Sequence, residues 1–373
     1  MAKNAMALVF ANTCDELMPE LTEHRSMASV PFGGRYRIID FYLSNLVNAG
    51  VRKVGIIPRA NYRSLMDHIG SGRPWDLDRK TGGISFLPPF ISSNSGAYKG
   101  HIDAITGVDG YLAKSSEDYV IICDADVVCN IDLSKVLKDH IEKKADVTAV
   151  YKHGKLPSSM GRPVFSFDKD GFANEILVLD EAEEAEEYCN FGIGIMIFER
   201  EQLRRLAKQA NAKGERGIVR GILQPSLAQL KINGYRFDGF CEPIYSIESY
   251  TAANMALLKR EVRNEIFNSE RPIYTKTRDD MPTRYGLNCS TVNSIIGDGC
   301  IIEGCVENSI LFRGVKVEKG AKVNNCIIMQ ETVIGANSNL QYITADKEVA
   351  ISAGSTLRGS ENNHYIIKKG GKI

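Results

Sequence analysis

The chain has 373 residues, 43% of them hydrophobic and 25% charged, enough to bury a sizeable core and long enough for two domains. Lysine plus arginine and aspartate plus glutamate each number 46, so the net charge is zero. That balance excludes nucleic acid or a membrane surface as a bulk electrostatic partner and makes any anion site a local one. Nine cysteines from Cys14 to Cys326, with no C-x-x-C, fit reduced cytoplasmic thiols rather than a disulfide frame or a zinc site. Met1 leads into no signal peptide, and no run approaches the ~20 apolar residues of a membrane helix.

In chain order, Met6 to Ala11 predicts a buried strand, followed by a long loop. In Ser29 to Gly50, Pro31 and the pair Gly33-Gly34 make a tight turn, and Ile39, Leu43, Leu46 and Val47 fall at helical spacing behind Asp40. Strand, loop and helix in this order open a nucleotide-binding α/β domain, with phosphates at the loop. Lys53 to Pro58 reads as the next strand, and Tyr62 to Gly70 as a helix with Leu65, Met66 and Ile69 on one side, so the sheet is expected to be mostly parallel and Rossmann-like. Arg73 to Asn94, with the only tryptophan, Trp75, reads as an excursion over the sheet.

Tyr98 to Ala104 reads as a helix start that needs Gly100 for close packing and Asp103 for the dipole, or as a ligand-facing segment. Tyr119 to Cys123 is an apolar strand with Asp124 and Asp126 at its carboxyl end, where open parallel sheets place ligands. On a strand the two carboxylates would share one face, so both could approach one Mg²⁺. Glu181 to Glu187 is an acidic turn, Asn190 to Phe198 a strand, and Leu203 to Leu230 one or two helices. Tyr250 to Asn268 predicts one long helix carrying Leu257, Leu258, Val262 and Ile266.

Ser269 to Leu287 is rich in Pro, Arg, Asp and Thr and reads as a linker, dividing a domain of residues 1–268 from one of 288–373. Beyond it the period changes. Val315, Ala321, Ile327 and Val333 recur every six residues, as do Val317, Val323 and Met329, which predicts a β-helix of hexapeptide repeats whose coils bury one aliphatic ladder per face. The alternative for this region is an ordinary antiparallel β domain.

The run PFGGRYRIIDFYLSN (residues 31–45) resembles the signature of bacterial ADP-glucose pyrophosphorylase (glucose-1-phosphate adenylyltransferase), and HIGSGRPWDL (residues 68–77) continues the likeness. The resemblance implies a nucleotidyltransferase domain followed by a left-handed β-helix, a tetrameric assembly, and a family reaction of ATP with glucose 1-phosphate aided by Mg²⁺. By the same resemblance, Asp126 matches the metal-binding aspartate, and Gly100 and Asp103 match substrate-facing positions. Phosphorylated or anionic effectors are implied near Arg25, Arg35, Arg37, Lys368 and Lys369, although these cations could equally pair with nearby carboxylates.

Several family positions are changed. The glycine-rich phosphate loop AGGxGxRL reads Ala11-Asn12-Thr13-Cys14-Asp15-Glu16-Leu17-Met18, so glycine's permissive backbone is gone and two carboxylates face the arriving phosphates. The family's RAKP reads Arg25-Ser26-Met27-Ala28, Y-x-G-T-A-D-A carries His101 and Ile102, and a nucleotide-contacting glutamine is replaced by Arg59. The lysine for the sugar phosphate gives way to the acidic stretch at Asp180 and Glu181, and the second metal aspartate is Pro243. A proline side chain cannot ligate an ion.

The expectation is a regulatory, catalytically deficient subunit, partnered by a catalytic subunit in a hetero-oligomer and without a firm cofactor. Mg²⁺ would enter only under the alternative of an active nucleotidyltransferase with a rebuilt site. A third reading is a sugar-phosphate-sensing binding module.

Overall fold

Ala5–Phe10, buried at every residue, is a central strand of a nine-stranded sheet in the computed structural model, which describes residues 4–89, 97–156, 161–178 and 188–373. It pairs in parallel with Lys53–Ile57 on one side and Tyr119–Asp124 on the other, and Gly83–Phe86 extends the sheet beyond Lys53–Ile57. Cys189–Glu199 then runs antiparallel to Tyr119–Asp124 and pairs on its other side with Val147–Gly154 and Pro163–Phe167. Ala173–Val178 and Ile232–Arg236 close the two outer branches. Seven strands share one direction, and Cys189–Glu199 and Ala173–Val178 oppose it.

The signature folds locally as its residues dictate. Gly33 and Gly34 take φ of 60° and 84° at the tip of the hairpin Pro31–Phe32/Tyr36–Arg37, and the helix Ile38–Asn48 follows directly. Asp40 caps that helix by accepting from the Arg37 N–H at 3.0 Å, while its other oxygen lies 2.6 Å from His68 Nε2. Asn254 accepts the Gly33 N–H at 2.9 Å, and the Tyr250 hydroxyl donates to the Pro31 carbonyl at 2.7 Å, so the helix Ile247–Ala256 pins the hairpin.

Three sequence expectations shift. The long helix over 250–268 is two, Ile247–Ala256 and Arg260–Ile266, because the Arg263 guanidinium bonds the carbonyls of Leu257 and Leu258 and ends the first. Met66 is exposed on the helix Arg63–Ile69, since Leu65 and Ile69 are four residues apart and face the core while Met66 is turned about 100° away. The excursion after Arg73 instead buries Trp75 and supplies the edge strand Gly83–Phe86; residues 90–94 of it lie outside the described residues.

The second domain is a left-handed parallel β-helix of three five-stranded sheets. Its corners stack: Asn293, Asn308, Asn325 and Tyr342 all have φ between 43° and 55°, and Asn293 donates to Asn308 at 2.7 Å. Asparagine tolerates that left-handed conformation, which explains its recurrence. Ile302, Val317, Ile334 and Ile351 form one interior ladder, and Val306, Val323 and Leu340 another.

The third sheet departs from the expected pattern. Ile310, Phe312, Ile327 and Met329 point out of the β-helix into the core of the first domain, so Ile327 and Met329 are not interior rungs. Side chains alternate along each short strand, and this sheet is apolar on both faces because both are covered. The linker is likewise packed: Ile273 and Thr275 are buried, Asn130 bonds the Arg271 carbonyl, and Tyr274 exchanges contacts with Ser44. The β-helix begins inside it, with Arg284–Tyr285 paired to Ile301–Ile302. No helix among the described residues is long and apolar enough to cross a membrane.

Candidate functional site

The carboxyl ends of Ala5–Phe10 and Tyr119–Asp124 open into a cleft of about 740 Å³, as expected for an open α/β sheet. The loop after the first strand lines it, and several of its side chains are bonded to neighbouring segments. Asp15 accepts the Met27 N–H at 2.7 Å, Asn12 accepts the Arg59 N–H at 2.8 Å, and Leu17 N–H is bonded to the Cys14 carbonyl at 3.1 Å. Arg59 extends to Glu16 at 3.2 Å. Met27, at the family's lysine position, is fully buried. A phosphate cradle needs converging backbone N–H groups on a permissive backbone, and this stretch has no glycine to supply one.

Asp124 and Asp126 are separated by the end of the strand: Asp124 is its last residue and Asp126 lies in the turn before Val127–Cys129. Gly194, at φ 75°, sits where a Cβ would come 2.9 Å from the Asp124 Cβ, so the bend of the antiparallel neighbour makes room for this carboxylate. His101 Nε2 lies 2.7 Å from Asp124 Oδ1, with its ring tilted over Phe10 at 4.4 Å between centroids. Burial opposes charge on His101, but the Asp124 carboxylate outweighs it and raises the imidazole pKa above its ordinary value. Asp126 is buried, with Arg162 Nη2 3.0 Å from one oxygen and the Cys14 thiol 3.2 Å from the other. Burial first, and Asp126 second, hold the Cys14 thiol protonated.

The fold family implies a divalent metal here, and the residues do not fit one. The expectation that Asp124 and Asp126 share one ion is corrected: the Arg162 guanidinium lies against Asp126, the Cys14 thiol donates to its other oxygen, and His101 holds one oxygen of Asp124. Pro243 pairs with Val127, beside Asp126, and brings no oxygen donor in its side chain. Glu242 is the strand neighbour and faces the other way. Among the described residues no group of three His, Cys, Asp or Glu side chains could hold a metal.

Of the substrate-like pair, Gly100 borders a side pocket beside His101; a Cβ there would meet the Arg216 carbonyl at 2.6 Å, so close packing requires glycine. Asp103 accepts the Lys99 N–H at 2.9 Å as a cap of its own helix and lines neither the cleft nor that pocket. The acidic stretch at Asp180 to Glu187 lies outside the described residues.

A second cavity, of about 420 Å³, lies between the signature hairpin and the β-helix. Eight basic side chains face it against three carboxylates. Arg35, Arg37 and Arg63 come from the first domain, Lys276 and Arg278 from the packed linker, and Arg313, Lys347 and Lys369 from the β-helix. Arg35, Arg37 and Lys369 of the expected effector set meet here. Arg25 does not: its guanidinium is buried in a bidentate pair with Asp346 at 2.8 and 2.9 Å, which corrects its assignment to ligand binding. Lys368 points to Glu23 at 2.7 Å, outside this cavity. The other five cations were not singled out from sequence, since nothing local marks residues from three distant segments as neighbours.

Crowding of like charge is visible in two shifts. Burial, then Arg25 and Arg278, lower the Arg37 pKa to about 10, while burial, then Arg37 and Arg25, lower Lys347 to about 7. An anion in the cavity favours charged Lys347 and raises its pKa, so above pH about 7 binding takes up a proton and weakens as pH rises. Titration calorimetry of inorganic pyrophosphate in two buffers of different ionisation enthalpy should show that uptake, and Lys347→Met should remove it. Without ligand, the folded chain holds fewer protons than the unfolded one between pH about 7 and the ordinary lysine value of 10.5, so this residue's contribution to stability rises with pH across that window.

Comparison with known proteins agrees along the chain. The nucleotidyl transferase family model matches residues 15–260, and the GlmU-like C-terminal hexapeptide model matches residues 280–364. The chain is 34% identical to the glycogen biosynthesis protein GlgD of Bacillus subtilis (strain 168) over 98% of this chain and 96% of that one. It is 35% identical to the protein of the same name from Geobacillus stearothermophilus, over 99% and 97%. Identity to the glucose-1-phosphate adenylyltransferase of Bacillus thuringiensis (strain Al Hakam) is 32%, over 98% and 97%.

Proposed function

Because the chain belongs to the nucleotidyl transferase family, among the GlgD glycogen biosynthesis proteins and glucose-1-phosphate adenylyltransferases, we propose that it is a regulatory, catalytically deficient subunit of a cytoplasmic glucose-1-phosphate adenylyltransferase. It associates with a catalytic subunit, in a hetero-oligomer for which the family's tetramer is the expected assembly, and alters that subunit's response to ATP, glucose 1-phosphate and an anionic effector.

The observation that carries this reading is the state of the cleft. His101 and Arg162 hold Asp124 and Asp126, Pro243 stands where the family has a ligand, and the loop in the phosphate position has no glycine and turns its Asp15 onto the Met27 N–H. Phosphoryl transfer rests on positioning and on neutralising charge, and removing one such transition-state contact costs about 3–4 kcal/mol. Several absent together leave no useful turnover. The cationic cavity between the domains, by contrast, is open and built from both of them, which supports an effector site.

The test is pyrophosphate release from ATP, glucose 1-phosphate and Mg²⁺ by this chain, by a catalytic subunit, and by their equimolar mixture. The expected result is no release from this chain alone and a mixture that differs from the catalytic subunit in rate or half-saturating substrate. Robust release by this chain alone would overturn the reading.

A further inference from the structure

We propose that the Arg162 guanidinium and the His101 imidazole are resident partners of the two carboxylates that take the place of a divalent metal, so that the cleft is closed to such ions rather than merely short of a ligand. This goes beyond the loss of function argued above, because it assigns a positive role to two side chains.

Arg162 is 6% exposed, donates to the Gly192 carbonyl at 3.1 Å and places its other terminal nitrogen 3.0 Å from Asp126. It is thus fixed to the backbone of the antiparallel strand as well as to the carboxylate. Cys14, from the former phosphate loop, occupies the second Asp126 oxygen at 3.2 Å. His101 stands where the family motif has threonine and closes the site from the helix His101–Gly107, gripping Asp124 at 2.7 Å. Three segments therefore converge on the two carboxylates, each with a side chain that holds an oxygen.

An incoming ion would have to displace these partners. Mg²⁺ and Mn²⁺ need carboxylate oxygens at about 2.1 Å with several waters, in near-octahedral order. Reaching Asp126 would draw that carboxylate away from the Arg162 guanidinium and set a doubly charged cation beside it, and both effects oppose entry. A carboxylate so held is the reverse of the hydrated, half-open pair that such ions use.

The experiment titrates the full chain with Mn²⁺ alone at neutral pH and reads free Mn²⁺ by electron paramagnetic resonance, so its outcome is independent of any activity in a mixture. Wild type is expected to show no saturable site below about 1 mM, a range in which protein sites of this ion class ordinarily fill. The double variant His101→Thr/Arg162→Met, which removes the nitrogen partners of both carboxylates and leaves only the Cys14 thiol on Asp126, is expected to gain a site at least tenfold tighter, and Asp126→Asn on that background is expected to remove it. A stoichiometric wild-type site that Asp126→Asn abolishes would overturn the proposal. So would a folded double variant, judged by circular dichroism, that gains nothing. If the double variant does not fold, His101→Thr alone decides the question: a gained Mn²⁺ site supports the proposal, and a folded variant without one overturns it.

Discussion

Arg25→Met is expected to destabilise the protein by about 3–5 kcal/mol and to uncouple its two domains. The pair it breaks joins the loop before the signature to Asp346, 321 residues further on, with both side chains under 5% exposed and two parallel N–H···O bonds. An exposed ion pair would contribute only about 0–1 kcal/mol, but here the substitution strands the Asp346 carboxylate in the interior. Asp346 also accepts the Lys347 N–H at 2.7 Å, so its displacement disturbs the wall of the cationic cavity. Chemical denaturation followed by Trp75 fluorescence and by far-ultraviolet circular dichroism gives the check. Trp75 is the only tryptophan and is buried in the first domain, whereas dichroism reports both. Coincident transitions in wild type and separate ones in Arg25→Met are expected. Arg25→Met/Asp346→Leu should recover most of the loss, because an apolar pair removes the stranded charge. An unchanged midpoint in the single variant would refute the clamp.

Arg37→Glu/Lys347→Glu is expected to weaken pyrophosphate binding in the cavity between the domains by at least about 100-fold, since each charge-assisted contact there is worth about 1.5–3 kcal/mol and both charges are reversed. The two residues approach from opposite domains, Arg37 with its guanidinium oriented by the Ser64 carbonyl at 2.7 Å and Lys347 next to Asp346. The cavity is partly enclosed, so added salt should reduce wild-type affinity less than it would at an open surface. Arg59→Glu, in the other cleft, is the control and should leave binding unchanged. Equal loss in the control, or no loss in the double variant, would place the anion elsewhere.

Much of this molecule is legible in the chain. Gly33 and Gly34 announce the hairpin tip and Asp40 the helix behind it, because turns and caps are set within a few residues. The hexapeptide period announces the β-helix for the same reason. Reading went astray where a stretch breaks within itself: Arg263 reaches back to end the helix at Ala256, and Asp126 leaves the strand that was expected to carry it beside Asp124.

The sequence by itself determined two domains, their types and the absence of a family metal ligand at Pro243, since each is written in local spacing or in a single side chain's chemistry. Only the tertiary structure decided what the charged residues do. It paired Arg25 with Asp346 and thereby removed Arg25 from ligand binding, set His101 and Arg162 on Asp124 and Asp126, and gathered eight cations from three segments around one cavity. It also turned Ile327 and Met329 outward into the other domain. A period of two or six residues fixes which side chains share a face, but it carries no information about what that face meets. A charge is matched by whichever segment folding brings within a few ångströms, and that segment can lie hundreds of residues away.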